Sequence, residues 1–370
     1  MTKETDSMRV VHVAPTPFGR EGLFGGGERY PLELARALAA EVDCELVTFG
    51  QHPHVVMDSE GLRVRVLRAL AYLPRHPAHP IAPGLPAALR NADVVHTHHL
   101  RSTPSRLAAV TARVSRQRLA VTDHGLGGGG WAGLLPLLFD RFLTVSRHSA
   151  LTLGAPPERT TVIYGGADPF RFHPEGTDRR NGVLFVGRLT PHKGVDLLIR
   201  ALPADAELLC VGTTGHDPRP PESGYGDLLR RLAAARPVTF TGEVPDQQLP
   251  LLYRRAQVMV LPSVHVTCYG RHVGISELLG LSVLEAMASG TPVVCSRLGG
   301  LPEVVRDGET GFLVTPGDVE ELHDRIATLL GDPRRAAQMG RRGRELVLDR
   351  FTWQACAARC LAAYQDLLRR

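Results

Sequence analysis

Short apolar runs recur along the chain, spaced so that one amphipathic segment fits between neighbours. In the first half Arg9–Ala14, Cys44–Phe49, Leu62–Leu67, Val94–Thr97, Arg118–Asp123, Phe142–Ser146 and Thr161–Tyr164 read as strands. The series restarts with Gly182–Gly187, Leu208–Val211, Val238–Thr241, Val258–Leu261, Pro292–Cys295 and Gly311–Val314. The intervening segments repeat apolar residues at helical spacing, as at Leu32, Leu34, Ala35, Leu38 and Ala39. This alternation predicts an α/β protein with parallel sheets covered by helices on both faces. A stretch rich in proline, glycine and charge, from about Gly166 to Asn181, separates two domains, 1–170 and 171–350. In the last segment, 351–370, Trp353, Cys356, Cys360, Leu361 and Tyr364 share one helical face, so a helix packed across the domain junction is expected.

Parallel sheets bind ligands beyond the carboxyl ends of their strands, which directs attention to the residues that follow each run. After the first strand comes Gly25-Gly26-Gly27-Glu28, where glycine lets a backbone approach a ligand closely. After the fourth comes His96-Thr97-His98-His99. Alternation sends His96 and His98 to one face and His99 away from it, and no adjacent acid or cysteine completes a metal set. Packing or cleft lining is the expectation there. His124 ends the next strand and reads as a ligand contact. The following Gly125-x-Gly127-x-x-Gly130 formally matches a dinucleotide fingerprint. It lies off the first strand and lacks the acid that would hold a ribose, which argues against a nicotinamide site.

The second half carries the stronger chemistry. Arg188 and Lys193 flank a tight loop between a strand and a helix, an outline of a diphosphate site. Residues 258–297 hold a strand, a long polar loop, Glu277, Gly280, a helix starting near Ser282, Glu285 and another strand. A helix N-terminus attracts anions, while ionised carboxylates accept hydrogen bonds from hydroxyls. A ligand with hydroxyls on both sides of a phosphate group, a nucleotide-sugar, matches that combination. Ser282-x-x-Glu285 is also a capping box, and by itself reads as a helix cap before it reads as a contact.

Composition narrows the class. Hydrophobic content of 43% and charged content of 22% fit a globular protein. No apolar run approaches the length of a membrane span and no signal peptide is evident, so a cytoplasmic protein is expected. The six cysteines form no CxxC pair, which argues against zinc. A net charge of +5 does not demand nucleic acid. Arg101–Arg118 carries five arginines and no acid; a solvated helix face is the expectation, with anionic lipid as the other reading. Lys3 and Lys193 are the lysines among 43 basic residues, so Lys193 stands out as a place where a compact charge suits better than the arginine fork.

Four motifs in order resemble those of family 4 retaining glycosyltransferases of GT-B architecture: Gly26-Gly27-Glu28; Gly187-Arg188-Leu189 through Lys193-Gly194; Glu277 through Leu284-Glu285-Ala286-Met287-Ala288; and Gly290-Thr291-Pro292-Val293-Val294. The resemblance spans nearly the whole chain. It implies two Rossmann-like domains with parallel sheets facing a central cleft. It implies that Arg188 and Lys193 hold the donor diphosphate with the amides near Leu281 and Ser282 and with Gly27. It further implies that Glu277 takes donor-sugar hydroxyls, Glu285 the ribose, His124 a place beside the sugar, and the main chain near Val244 the base. The donor would be a nucleoside diphosphate sugar, UDP- or GDP-linked, with no cofactor and no metal. The acceptor is a hydroxyl compound, expected to be small, soluble and polar, with a membrane lipid as the alternative. A nucleotide-sugar epimerase or a non-catalytic nucleotide-sugar sensor would use the same donor residues. The chain departs from the family where Glu277-Leu278-Leu279-Gly280 replaces the common Glu-Pro-Phe-Gly, in the long loop from Val264 to Ile275, and in Gly165-Gly166-Ala167-Asp168 at the linker.

Overall fold

The computed structural model describes residues 8–16, 25–73, 78–124, 134–154, 156–175, 181–214, 221–274 and 276–369. The chain forms two compact units, one comprising Met1–Gly165 with Trp353–Arg370 and the other Gly166–Thr352. The division expected at residue 170 thus falls at Gly165/Gly166, and the final helix belongs to the first unit. The glycine run at 125–130 lies outside the described residues.

The strands of the first unit are β1 (Arg9–Val13), β2 (Asp43–Gly50), β3 (His54–Met57), β4 (Arg63–Arg68), β5 (Ala71–Tyr72), β6 (Pro80–Ile81), β7 (Val94–His98), β8 (Arg118–Thr122), β9 (Arg141–Thr144) and β10 (Thr160–Val162). β5 and β6 pair with each other, and the other eight form one sheet in the order β10-β9-β8-β7-β1-β2-β4-β3. Its pairs are parallel except β3 against β4. β3 was not expected: it is exposed along its whole length, so no buried alternation marks it in the sequence. The helices are α1 (Gly26–Ala39), α2 (Leu85–Ala88), α3 (Thr103–Val114) and α4 (Arg147–Leu153).

The strand period of two sorts β1, β7 and β8 into unlike faces. Val11, Val13, Val95, Leu119 and Val121 join an apolar core that includes Ala108, Ala109 and Ala112 of α3. The opposite face carries a stripe of polar groups. His12 and His96 are register partners, as are His98 and Thr122. All four side chains are fully buried.

The second unit continues with β11 (Asn181–Val186), β12 (Leu208–Val211), β13 (Val238–Gly242), β14 (Ala256–Leu261), β15 (Val293–Ser296) and β16 (Gly311–Val314). They form a parallel sheet ordered β13-β12-β11-β14-β15-β16. Its helices are α5 (Val195–Ala201), α6 (Tyr225–Ala233), α7 (Leu249–Arg255), α8 (Leu281–Ala288), α9 (Leu301–Val304), α10 (Val319–Gly331) and α11 (Pro333–Arg350). The closing helix α12 (Trp353–Arg369) packs on α1 of the first unit, with Trp353 edge-on to Tyr30 at 5.2 Å between ring centroids. In both sheets the order reverses once in the middle, between β1 and β7 and between β11 and β14. Crevices at such reversals are where open α/β sheets take ligands.

The polar stripe has a consequence for stability. Burial lowers His12 to about 3 and holds His96 and His98 well below the usual histidine value, with neighbouring imidazoles adding to the shift. These rings are neutral in the fold and take up protons below about pH 6.5 once unfolded. Because the folded values are depressed, their stabilising contribution is present above the unfolded pKa and is lost as pH falls through the folded one. Each such ring removes about 1.4 kcal/mol per pH unit over that window. The urea midpoint, followed by tryptophan fluorescence, is expected to fall steadily from pH 7 to pH 5. A flat profile over that range would show that the rings are not held neutral.

Candidate active site residues

In the second unit the loop after β11 is locked onto the segment after β14. Gly194 takes a left-handed φ of 69°, and a Cβ there would meet the Pro262 carbonyl oxygen at 2.1 Å. Only glycine satisfies both constraints. This contact brings Lys193, in the one-turn helix Pro191–Lys193, beside Glu277. Lys193 Nζ donates to Glu277 Oε1, and Ser263 Oγ donates to the same oxygen at 2.7 Å. Glu277 is 5% exposed, and a buried carboxylate is costly unless a charge partner compensates it. Arg188 is exposed on the same loop.

The backbone of Glu277 is clamped from below by a glycine pair. Gly299 has φ 61°, a Cβ there would meet Glu277 O at 1.9 Å, and the Gly300 amide donates to that oxygen at 3.2 Å. The chain then turns through Gly280 into α8. Here the structure corrects the capping-box alternative: the N-cap is Gly280, with φ 94°, and no side chain caps the helix. Ser282 lies inside the first turn. The first intrahelical bonds run from Val283 and Leu284 to Gly280 O, which leaves the Leu281 and Ser282 amides ahead of the ladder as an anion cradle. Glu285, released from capping, is buried, and its Oε2 accepts from Tyr253 Oη of α7 at 2.9 Å. Val244 is half-buried just beyond β13.

One neutral group reports the local field. His192 is lowered to about 3, first by burial and then by the charges of Lys193, Arg188 and Arg271. Three cations around one imidazole mark a place that favours an anion. Arg271 belongs to the long loop after β14. Its base is closed by a Val266–His272 bridge, and Arg271 grips Glu222 at 2.5 and 2.7 Å. The loop is therefore a braced hairpin fixed to the approach to α6.

In the first unit α1 begins at Gly26 with Gly25 as its N-cap. Gly27 brings the helix start against two histidines: a Cβ there would meet His99 Cε1 at 3.4 Å and His124 Cβ at 3.5 Å. His124 follows β8, stacks on His98 with ring centroids 5.3 Å apart, and lies 4.8 Å from the Tyr30 ring. Burial and then His99 lower its pKa well below the usual value. His99 is not directed away, as strand alternation implied. β7 ends at His98, His99 takes φ 63°, and its ring turns back to 5.1 Å from His124.

Nitrogen atoms of His12, His96 and His98 lie within 4.8 Å of one another, the spacing of a metal set. They are occupied with other partners. His12 Nδ1 bonds His98 Nε2 at 3.0 Å, and His96 bonds Tyr364 Oη at 2.6 Å and Thr122 Oγ1 at 2.8 Å. The packing expectation for His96 and His98 matches these contacts. Sequence reasoning missed His12, Ser263, Tyr253 and Glu222. His12 and Ser263 had a usable signal, a polar residue inside or just after a buried parallel strand. Tyr253 and Glu222 lie far away in sequence on ordinary helical segments and had none.

Residues 168–346 match the family model described as glycosyl transferases group 1, and residues 24–171 match that described as glycosyltransferase family 4. A GDP-mannose-dependent alpha-(1-6)-phosphatidylinositol monomannoside mannosyltransferase of Mycolicibacterium smegmatis is 32% identical, covering 77% of this chain and 81% of its own. A D-inositol 3-phosphate glycosyltransferase of Acidothermus cellulolyticus is also 32% identical, covering 98% of this chain and 90% of its own. Among solved structures, the sucrose-phosphate synthase of Thermosynechococcus elongatus is 25% identical with a TM-score of 0.74, covering 98% of this chain and 99% of its own. Anabaena HepE in complex with UDP and glucose shares the fold at 20% identity and a TM-score of 0.75, covering 97% and 99%. The motif order, the two sheets and these matches agree: the chain belongs to glycosyltransferase family 4 and has the GT-B architecture.

Proposed function

We propose that this glycosyltransferase moves a hexosyl group from a nucleoside diphosphate sugar, GDP- or UDP-linked, to a hydroxyl of a small polar acceptor, with retention of configuration and without a metal ion. One arrangement carries the reading. Lys193 and Glu277 form a buried ion pair at the end of β14, Arg188 stands on the adjoining loop, and the free amides of Leu281 and Ser282 open the next helix. Cations and amides suit the diphosphate, and the carboxylates suit hydroxyls: Glu277 those of the sugar, Glu285 those of the ribose. The bond between the sugar's anomeric carbon and the leaving phosphate oxygen breaks, and a bond to the acceptor oxygen forms on the same face. The acceptor proton passes to the departing diphosphate. Charge grows on the diphosphate as the bond breaks, so fixed cations and amides stabilise the transition state more than the ground state. Arg188 and Lys193 stand in for the divalent ion. The GDP-mannose donor of the Mycolicibacterium relative and the UDP bound by HepE support this donor class.

A lipid acceptor is the second reading, favoured by α3. Its Val110 and Val114 are 42% and 81% exposed beside the exposed Arg113 and Arg116, a mixed surface that suits an anionic bilayer. Co-sedimentation with anionic phospholipid vesicles separates the two. The soluble-acceptor reading expects the protein in the supernatant, and salt-sensitive pelleting would move the acceptor to a lipid.

Thermal unfolding with UDP, GDP and ADP in EDTA tests the donor. A nucleotide at about a hundred times its Kd adds about 2.7 kcal/mol. Preference for one nucleotide is expected, and Glu285→Gln, which keeps an oxygen for Tyr253 but removes the charge, is expected to abolish it. Equal stabilisation of both proteins would remove Glu285 from the ribose.

Lys193→Met keeps the apolar stem and removes the ammonium. It is expected to lower kcat by about 10²–10³-fold, the usual cost of a lost electrostatic contact. The anomeric configuration of the product, read by NMR from the wild-type reaction, is expected to match that of the donor. An undiminished kcat in the variant would take Lys193 out of the chemistry.

A further inference from the structure

The polar stripe of the first unit is one continuous chain of hydrogen bonds that ends at His124. His124 Nε2 lies 3.1 Å from His98 Nδ1, and His98 Nε2 lies 3.0 Å from His12 Nδ1. His12 Nε2 is 3.4 Å from Tyr364 Oη, and the phenol is 2.6 Å from His96 Nδ1. His96 Nε2 closes the run on Thr122 Oγ1 at 2.8 Å. His124 Nδ1 is the ring nitrogen outside the run. Burial keeps all four imidazoles neutral, His12 at about 3 and the others well below the usual value.

A neutral imidazole has one N–H and one lone pair, so the direction of one link dictates the next. The phenol decides that direction because it has a single proton for two facing nitrogens. A phenol is a better donor than an imidazole N–H, and an imidazole nitrogen is a better acceptor than a phenol oxygen. The short link therefore takes the O–H, and Tyr364 donates to His96 Nδ1. The Cys360 thiol, which also bonds Tyr364, is a weak acceptor and does not compete for that proton. His96 then donates through Nε2 to Thr122. The phenol shows only lone pairs to His12, so His12 carries its proton on Nε2. His12 Nδ1 accepts from His98 Nε2, and His98 Nδ1 accepts from His124 Nε2. All four rings are Nε2–H tautomers, and His124 is left with an unprotonated Nδ1.

We propose that His98, His12, Tyr364, His96 and Thr122 are positioning residues that hold His124 in the Nε2–H tautomer, so that it meets a ligand hydroxyl as a hydrogen-bond acceptor and not as a donor. The ligand half of this statement rests on the reading of His124 as a contact to a ligand hydroxyl; the tautomer half does not. A hydroxyl that donates to His124 Nδ1 is oriented with its lone pairs turned away from the ring, which selects ligands with a hydroxyl at that place over those without one.

The experiment is nitrogen-15 NMR of histidine-labelled wild-type protein without ligand, with the four rings assigned through their backbone. Four neutral rings protonated at Nε2 are expected. A ring protonated at Nδ1, a doubly protonated ring or a metal-bound nitrogen at any of the four positions would overturn the proposal. Tyr364→Phe removes the deciding proton while keeping the ring. An Nδ1–H population is expected to appear at His124, with kcat about tenfold lower and nucleotide affinity unchanged. If the variant is only less stable, with the His124 tautomer and kcat unchanged, Tyr364 is packing alone. Failure of the wild-type protein to bind any nucleotide would instead count against the donor assignment and leave the tautomer result standing.

Discussion

A carboxylate that is 5% exposed is costly to bury unless a nearby cation compensates it, and Lys193 lies against Glu277. Much of the second unit follows from that requirement. Lysine reaches Glu277 because Gly194 lets the loop after β11 touch the Pro262 carbonyl. The carboxylate is presented at the right height because Gly299 and Gly300 sit directly against the backbone of residues 277 and 278. Ser263 adds a neutral hydrogen bond to the same oxygen, which satisfies a second lone pair without a second charge. Arginine in place of Lys193 would bring a planar fork to an oxygen already shared with a hydroxyl. The compact ammonium therefore suits position 193 better than the arginine used elsewhere in the chain.

The two units solve the problem of polar groups at a strand reversal in different ways. At β11 and β14 the second unit concentrates charge: three cations surround the neutral His192, and a buried ion pair stands beside a helix N-terminus. Beside β1 and β7 the first unit places neutral rings that bond one another, with no carboxylate in the run among the described residues. The first arrangement suits binding of a strongly charged group. The second suits recognition of an uncharged one, where direction of the hydrogen bond matters more than its electrostatic strength.

Sheet membership was legible because buried parallel strands leave short apolar runs, and strands expected in both halves overlap those in the structure. β3 was not, since an exposed edge strand has no buried face to set its pattern. Glu277, Glu285, Arg188 and Lys193 stood out because charged residues next to apolar strands call for an explanation, and the structure pairs Lys193 with Glu277 and Tyr253 with Glu285. The capping alternative at Ser282 could not be settled in the sequence because the Ser-x-x-Glu pattern does not report backbone angle, and Gly280 at φ 94° is the N-cap. His99 was misplaced for a similar reason, since strand alternation stops where φ becomes positive. The closing helix was legible as a helix. Its attachment was not, because it is fixed by single contacts such as Tyr364 with His96, 268 residues apart in sequence.

The histidine stripe also explains why that attachment is specific. An apolar residue at 12, 96 or 98 would bury equally well against many helices, since hydrophobic contact is non-directional. Buried imidazoles are tolerated only against partners that complete their hydrogen bonds, because each unmatched nitrogen costs the desolvation of a polar group. Tyr364 supplies two of those contacts from α12, and Cys356 meets Tyr30 of α1 at 3.3 Å on the same helix. A shift of α12 by one residue would move the phenol away from both imidazoles and leave them unpaired at once. The stripe thus selects the register of the last helix and, through the same bonds, the protonation of the ring at the strand end, so that one buried network serves folding and recognition together.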